Sequence, residues 1–182
     1  MTLTYLIDKD DYLVYQLYNA SRLESIVKKR RLTHQLVAIL LVVMGMGSFY
    51  ATNNMISAIV FAGLAVLWFL FYPKWESRMY VKHYEKFIAD NFSKALNKEA
   101  TITIGEEEIQ IGDDTQQSSV SNSEAVRVVE IGALFMIALQ SGHSLIMPKS
   151  QIKNINEVRA FLQEWSIKQN VPFENETNWA WK

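Results

Sequence analysis

Leu36 to Tyr72 reads LVAILLVVMGMGSFYATNNMISAIVFAGLAVLWFLFY, two apolar runs on either side of the polar link Ala51-Thr52-Asn53-Asn54. In the second run, Met55 to Tyr72, the one polar non-aromatic side chain is Ser57. As a helix its 18 residues rise about 27 Å, close to the ~30 Å hydrocarbon core of a bilayer. The first run is apolar from Leu36 to Phe49 apart from Ser48, and Leu32, Thr33, His34 and Gln35 extend it into a headgroup layer. No charged residue falls between Gln35 and Pro73, as a bilayer requires, since a charge at its centre costs several kcal/mol. A helix packed inside a soluble protein usually keeps a polar stripe, and neither run has one. The sequence therefore predicts a transmembrane helical hairpin over 32–73, with spans at about 33–51 and 55–72, antiparallel because the link is so short.

The residues around the hairpin orient it. Lys28, Lys29, Arg30 and Arg31 precede the first span, Lys74, Arg78, Lys82 and Lys86 follow the second, and the link has no Lys or Arg. Cations collect on the cytoplasmic side, so both termini are expected there and the link outside. Trp68, Phe69, Phe71, Tyr72 and Trp75 mark the inner interface, Phe49 and Tyr50 the outer one. Asp8, Asp10 and Asp11 stand where a secretory leader would be cationic, so an uncleaved anchor fits better.

Outward from the hairpin the chain divides by composition. Residues 1–31 open with Thr2-Leu3-Thr4-Tyr5-Leu6-Ile7, a strand pattern that needs a partner sheet. Asp8 then caps an uninterrupted helix that carries Leu13, Leu17, Ala20, Leu23 and Val27 on one side and runs through Arg31 into the first span. Residues 74–98 form a basic juxtamembrane helix, and Pro73 is expected to break or kink the chain before it. From 99 to 170 the period falls to two. Thr101-Ile102-Thr103-Ile104 and Glu108-Ile109-Gln110-Ile111 read as a hairpin around Gly105. Gly112 to Ser123 reads as a polar loop with at most a short strand. Val126 to Ile131, Ala133 to Gln140 and Ser144 to Met147 follow as strands, making five or so in an antiparallel meander. Asn154 or Asn156 caps a last helix whose stripe is Val158, Phe161, Leu162 and Trp165. Residues 171–182 are a tail in which Trp179 and Trp181 lie on the domain or the membrane interface.

In its order of elements and in Ala133-Leu134-Phe135-Met136-Ile137-Ala138-Leu139, a turn, and Leu145-Ile146-Met147-Pro148-Lys149 before a capped helix, the chain resembles the YcxB-like family of bacterial membrane proteins. Thr101-Ile102-Thr103-Ile104 with its acidic turn is also similar to that family. Members often have a Trp just before the strand that begins here near Val126, where this chain has Ser123-Glu124-Ala125. The resemblance implies an α+β membrane protein: a two-helix transmembrane hairpin and a cytoplasmic antiparallel β-sheet domain with a C-terminal amphipathic helix, pleckstrin-homology-like (PH-like). It implies a place in the bacterial cytoplasmic (inner) membrane and carries no catalytic residues.

The residues offer little chemistry. Cysteine is absent, which removes thiolate catalysis and Cys-based metal sites, and a net charge of −1 gives no electrostatic reason for a nucleic-acid partner. His34, His83 and His143 are far apart, Glu106-Glu107-Glu108 reads as a solubilising turn, and Asp113 and Asp114 lack calcium-loop spacing. Ser141 and Ser144 flank His143 without a nucleophile elbow. No enzyme activity and no cofactor is expected. Two surfaces remain as candidates. Lys74, Arg78, Lys82 and Lys86, each four residues on, make a stripe for anionic lipid. Ala38 and Gly45 on the first span, with Ala58, Ala62 and Ala65 on the second, make small-residue faces for helix packing, within the hairpin or in a homo-oligomer. The expected role is a membrane-tethered interaction or regulatory module whose cytoplasmic domain binds a protein or lipid. The alternatives are an immunity protein that neutralises a membrane-acting bacterial toxin, and an accessory subunit of a larger membrane complex.

Overall fold

The computed structural model describes residues 1–92, 96, 98–112 and 117–182; Asp113 and Asp114, named above, and part of the helix expected over 74–98 lie outside these. The fold is α+β, with long apolar helices and two β-sheets. It divides into two compact units, Met1–Tyr15 with Glu85–Ala180, and Gln16–Tyr84 with Trp181–Lys182.

The second unit is organised by α2 (Glu24–Thr52) and α3 (Met55–Phe92), with the end of α1 (Lys9–Arg22). The reversal takes only Asn53 and Asn54. Asn53 adopts the left-handed region (φ 54°), which asparagine tolerates, and its N–H donates to Phe49 O at 2.8 Å to close α2. Asn54 Oδ1 accepts the Ile56 N–H at 2.9 Å and starts α3. Ser48–Ser57, Gly45–Phe61, His34–Phe69 and Arg30–Glu76 then meet in succession, an antiparallel register along the whole hairpin.

Two expectations for these helices are revised: the uninterrupted helix through Arg31, and the break, one of the two outcomes expected at Pro73. The helix through Arg31 is interrupted, because Leu23 is extended (ψ 113°) and α2 restarts at Glu24. Ser21 Oγ donates to Tyr18 O at 2.6 Å, which occupies a carbonyl of α1's last turn without continuing the helix. Conversely, Pro73 does not end α3, which runs on to Phe92. A proline ring has no N–H for the carbonyl four residues back, here that of Phe69. That oxygen is 3.0 Å from His34 Nε2, which donates to it across the hairpin. The lost main-chain bond is replaced, and the helix continues.

The first unit holds eight strands among the described residues: the expected N-terminal strand, six between 99 and 170 where five or so were expected, and one in what was expected to be a tail. One sheet is β1 (Thr2–Leu6), β2 (Glu99–Ile104), β3 (Glu108–Gly112) and β4 (Gln117–Ser121) in that order, all antiparallel. The other has the order β7-β6-β5-β8, from β5 (Ala125–Ile131), β6 (Leu134–Leu139), β7 (Ser144–Pro148) and β8 (Phe173–Glu176), and the β5–β8 pair is parallel. β1 finds the partner sheet its composition demanded, with Leu3 opposite Ile102, and β4 (QSSVS) is the short strand allowed within the polar loop; β8 (FENE), in the expected tail, is too polar to show alternation. Both sheets and α4 (Ile155–Lys168) bury one core around Ile102, Ile109, Val128, Phe135, Ile137, Met147, Leu162 and Trp165. Of the two candidate caps Asn154 is the one used, accepting the Glu157 N–H at 3.3 Å.

Candidate functional site

Taken by itself, the helical unit has an unusual surface. Ile39, Val43, Ile56 and Leu70 are 58%, 58%, 72% and 60% exposed, and their apolar neighbours on both helices are similar. The most apolar 18-residue windows of α2 and α3 are only 6% and 11% buried. Both helices are long and apolar enough to cross a membrane. Of the small residues, Gly45 and Ala58 meet inside the hairpin: a Cβ on Gly45 would sit 3.0 Å from Phe61 Cβ and 3.5 Å from Ala58 O. Ala38, Ala62 and Ala65 instead line a groove of about 490 Å³ on its flank, with Ile39, Val42, Phe69 and Leu70. Lys74, Arg78, Lys82 and Lys86 are all exposed along α3.

Where the apolar runs end, polar and aromatic groups interlock. Arg30 Nε is 3.1 Å from Glu76 Oε2, and Tyr72 Oη donates to Glu76 Oε1 at 3.2 Å. Both partners are largely buried, with 21% and 12% of their side chains exposed. The Arg30 guanidinium stacks 4.6 Å from the Trp181 ring and donates to the Lys182 main-chain oxygen at 2.7 Å. Trp181 Nε1 donates to Ser77 O at 3.2 Å, and Trp181 therefore belongs to the helical unit. Tyr80 lies beside both Trp181 and Arg30. Burial raises the Tyr80 hydroxyl above its usual pKa; the Glu76 charge adds to this and Arg30 opposes it. Next to this cluster a cleft of about 400 Å³ is lined by Lys29, Thr33, Tyr72, Glu76, Met79, Tyr80 and His83.

The strand unit contains a buried charge cluster. Glu130 on β5 is fully buried, in the run Val-Val-Glu-Ile. Lys149 Nζ donates to its Oε1 at 2.7 Å, and Arg159 on α4 reaches both oxygens, Nε to Oε2 at 2.8 Å and Nη2 to Oε1 at 2.7 Å. Asn156 accepts from Arg159 Nη1 at 2.6 Å. Burial pushes the Glu130 carboxyl up, but the Arg159 and Lys149 hydrogen bonds and charges outweigh it and hold the group below its ordinary range. Both oxygens of the carboxylate accept from cations, so the cluster is a clamp between sheet and helix, not a free acid or base. Sequence reading passed over it. The available signal was a lone glutamate inside an otherwise apolar strand.

Other candidates do not converge. His34 lies in the hairpin, His83 on α3 and His143 in the β6–β7 turn, and among the described residues no group of three His, Asp or Glu is placed to hold a metal ion. Glu106 lies at the β2–β3 turn beside a cleft of about 580 Å³ floored by Ile104, Phe161 and Trp165. The buried Trp165 indole N–H has no hydrogen-bond partner among the described residues. At the start of α1, Asp8 and Asp11 cap each other's N–H groups. Burial, with Asp8 and Asp10 nearby, pushes Asp11 up to about 6. No family model, curated protein or solved structure matches this chain.

Proposed function

We propose that the chain is a two-span protein of a bacterial cytoplasmic membrane, with α2 and α3 crossing the bilayer and both polar ends in the cytoplasm. The strand unit is then a PH-like module of the YcxB-like kind, held at the membrane to bind a protein or lipid partner, with no catalytic role. The reading rests on one observation, the apolar surface exposed all round both helices. In water about 25 cal/mol is lost for every Å² of such surface left uncovered, and a bilayer is the medium in which it costs nothing. A buried core helix would be covered by the rest of the fold. A removable leader is disfavoured because β1, upstream of α2, is built into a sheet. Two sheets around one core closed by a capped helix support the PH-like assignment, and the exposed cations on either side of the hairpin support the orientation.

The absence of cysteine makes the test direct. The protein is expected to stay with membranes in alkaline carbonate. A cysteine placed at Asn53 is expected to react with an impermeant maleimide added to intact cells, and one at Ser123 only after lysis. Release by carbonate, or labelling of Ser123→Cys from outside, would reject the proposal.

A further inference from the structure

We infer that the cleft between α2 and α3 beside Glu76 is a binding site for one anionic phospholipid headgroup, with Lys29 as its phosphate ligand. The inference deepens the membrane reading and rests on it.

The cleft runs along α3 from Tyr72 to His83, about 16 Å at 1.5 Å per residue. Its two ends differ in kind. Thr33 adjoins the start of the first apolar run and Tyr72 is the last residue of the second, whereas Lys29 and His83 lie progressively further from the apolar segments. The walls between them are the Met79 side chain and the rings of Tyr72 and Tyr80. A site that starts at the ends of the apolar segments and runs outward past Lys29 matches a glycerophospholipid in orientation, with its glycerol end towards Thr33 and its headgroup towards His83. A soluble anion has no use for the apolar end.

The charges also select the ligand. Glu76, the one acidic side chain lining the cleft, is already neutralised by Arg30 and hydrogen-bonded by Tyr72, so its carboxylate does not oppose an anion. Lys29, exposed at the rim, has no ion-pair or hydrogen-bond partner among the described residues. One unmatched cation remains over a mainly apolar cleft, the complement of a single phosphate diester. The site is separate from the stripe of Lys74, Arg78, Lys82 and Lys86, which lies outside this cleft and offers only diffuse, salt-screened attraction.

The test uses the full chain, purified in mild detergent and stripped of lipid, with dioleoyl-phosphatidylglycerol, dioleoyl-phosphatidylcholine or soluble glycerol phosphate added back and adducts counted by native mass spectrometry at high salt. One phosphatidylglycerol per chain is expected to persist where phosphatidylcholine does not. Lys29→Gln is expected to weaken that adduct about tenfold, the worth of one charge-assisted hydrogen bond, and Lys29→Arg to restore most of it. Lys82→Gln/Lys86→Gln is expected to leave it unchanged. Equal retention by Lys29→Gln, an equal loss in the stripe variant, or equally tight glycerol phosphate would each overturn the inference. Carbonate extraction of the same wild-type protein separates the two failures. A chain that stays in the pellet yet holds no selective lipid loses only this site, whereas one released into the supernatant loses the membrane reading as well.

Discussion

The helical hairpin and the strand unit use apolar residues in opposite ways. In the strand unit Val128, Phe135, Ile137 and Leu162 are wholly buried, and polar residues such as Thr2, Thr4, Glu108 and Gln110 face out. In the hairpin most large apolar side chains point outward, and Gly45 and Ala65 are buried, with Tyr72 buried at the end of the second run. Where water is the solvent, large apolar groups go inside. On the proposed membrane reading lipid is the hairpin's solvent, nothing drives large groups inward, and small residues take the contact because they let helix backbones approach. Charge follows the same division. The strand unit buries Glu130 and satisfies it completely, whereas the hairpin keeps ion pairs beyond its apolar runs, at Arg30–Glu76.

Truncation tests the contrast most strongly. Leu162→Ala is expected to cost the strand unit about 3–5 kcal/mol, read as faster hydrogen exchange across β5 and β6. Leu70→Ala on the outer face of α3 is expected to cost under about 1 kcal/mol. Similar losses at both sites would mean that the hairpin's outer face is packed against protein.

Next in size is Glu130→Gln, which leaves Lys149 largely buried beside a neutral group. It is expected to cost about 3 kcal/mol and to loosen α4 from the sheet. Because the folded state holds the Glu130 carboxyl below its ordinary value of 4.5, its contribution is full above that pH and falls away as acid protonates it. The strand unit is therefore expected to lose stability below about pH 4.5, and the Gln variant to show a flatter acid limb in a denaturation series.

A smaller effect than that of Glu130→Gln concerns the carbonyl freed by Pro73. His34→Phe keeps an aromatic ring against Phe69 but removes the N–H, and is expected to weaken the hairpin by about 1–2 kcal/mol. Adding Pro73→Ala restores the main-chain bond and is expected to recover most of that loss. A double variant no better than His34→Phe alone would disconnect the two residues.

The hairpin was readable because its signal is local: length, absence of charge and a link of two asparagines are all consecutive in the chain. The strands β2, β3, β5, β6 and β7 were readable for a similar reason, since alternation and turns are short-range. β8 was not. Phe-Glu-Asn-Glu becomes a strand only because β5 offers it an open edge. The candidate site divides in the same manner. Lys74, Arg78, Lys82 and Lys86 were visible as a four-residue repeat, but Lys29 and His83 share a cleft only through the antiparallel register of the helices, and Arg159 meets Glu130 only through the packing of α4 on the sheet.

By itself, then, the sequence determined where apolar residues accumulate and with what period, and so the helices, most of the strands and the α+β class. Tertiary structure alone decided that Pro73 lies within a continuous helix, that Trp181 belongs with Arg30, and that Glu130 is a satisfied ion rather than a reactive one. Periodicity follows from chain geometry over neighbouring residues. The fate of a lone carbonyl, ring or charge depends on a partner tens of residues away.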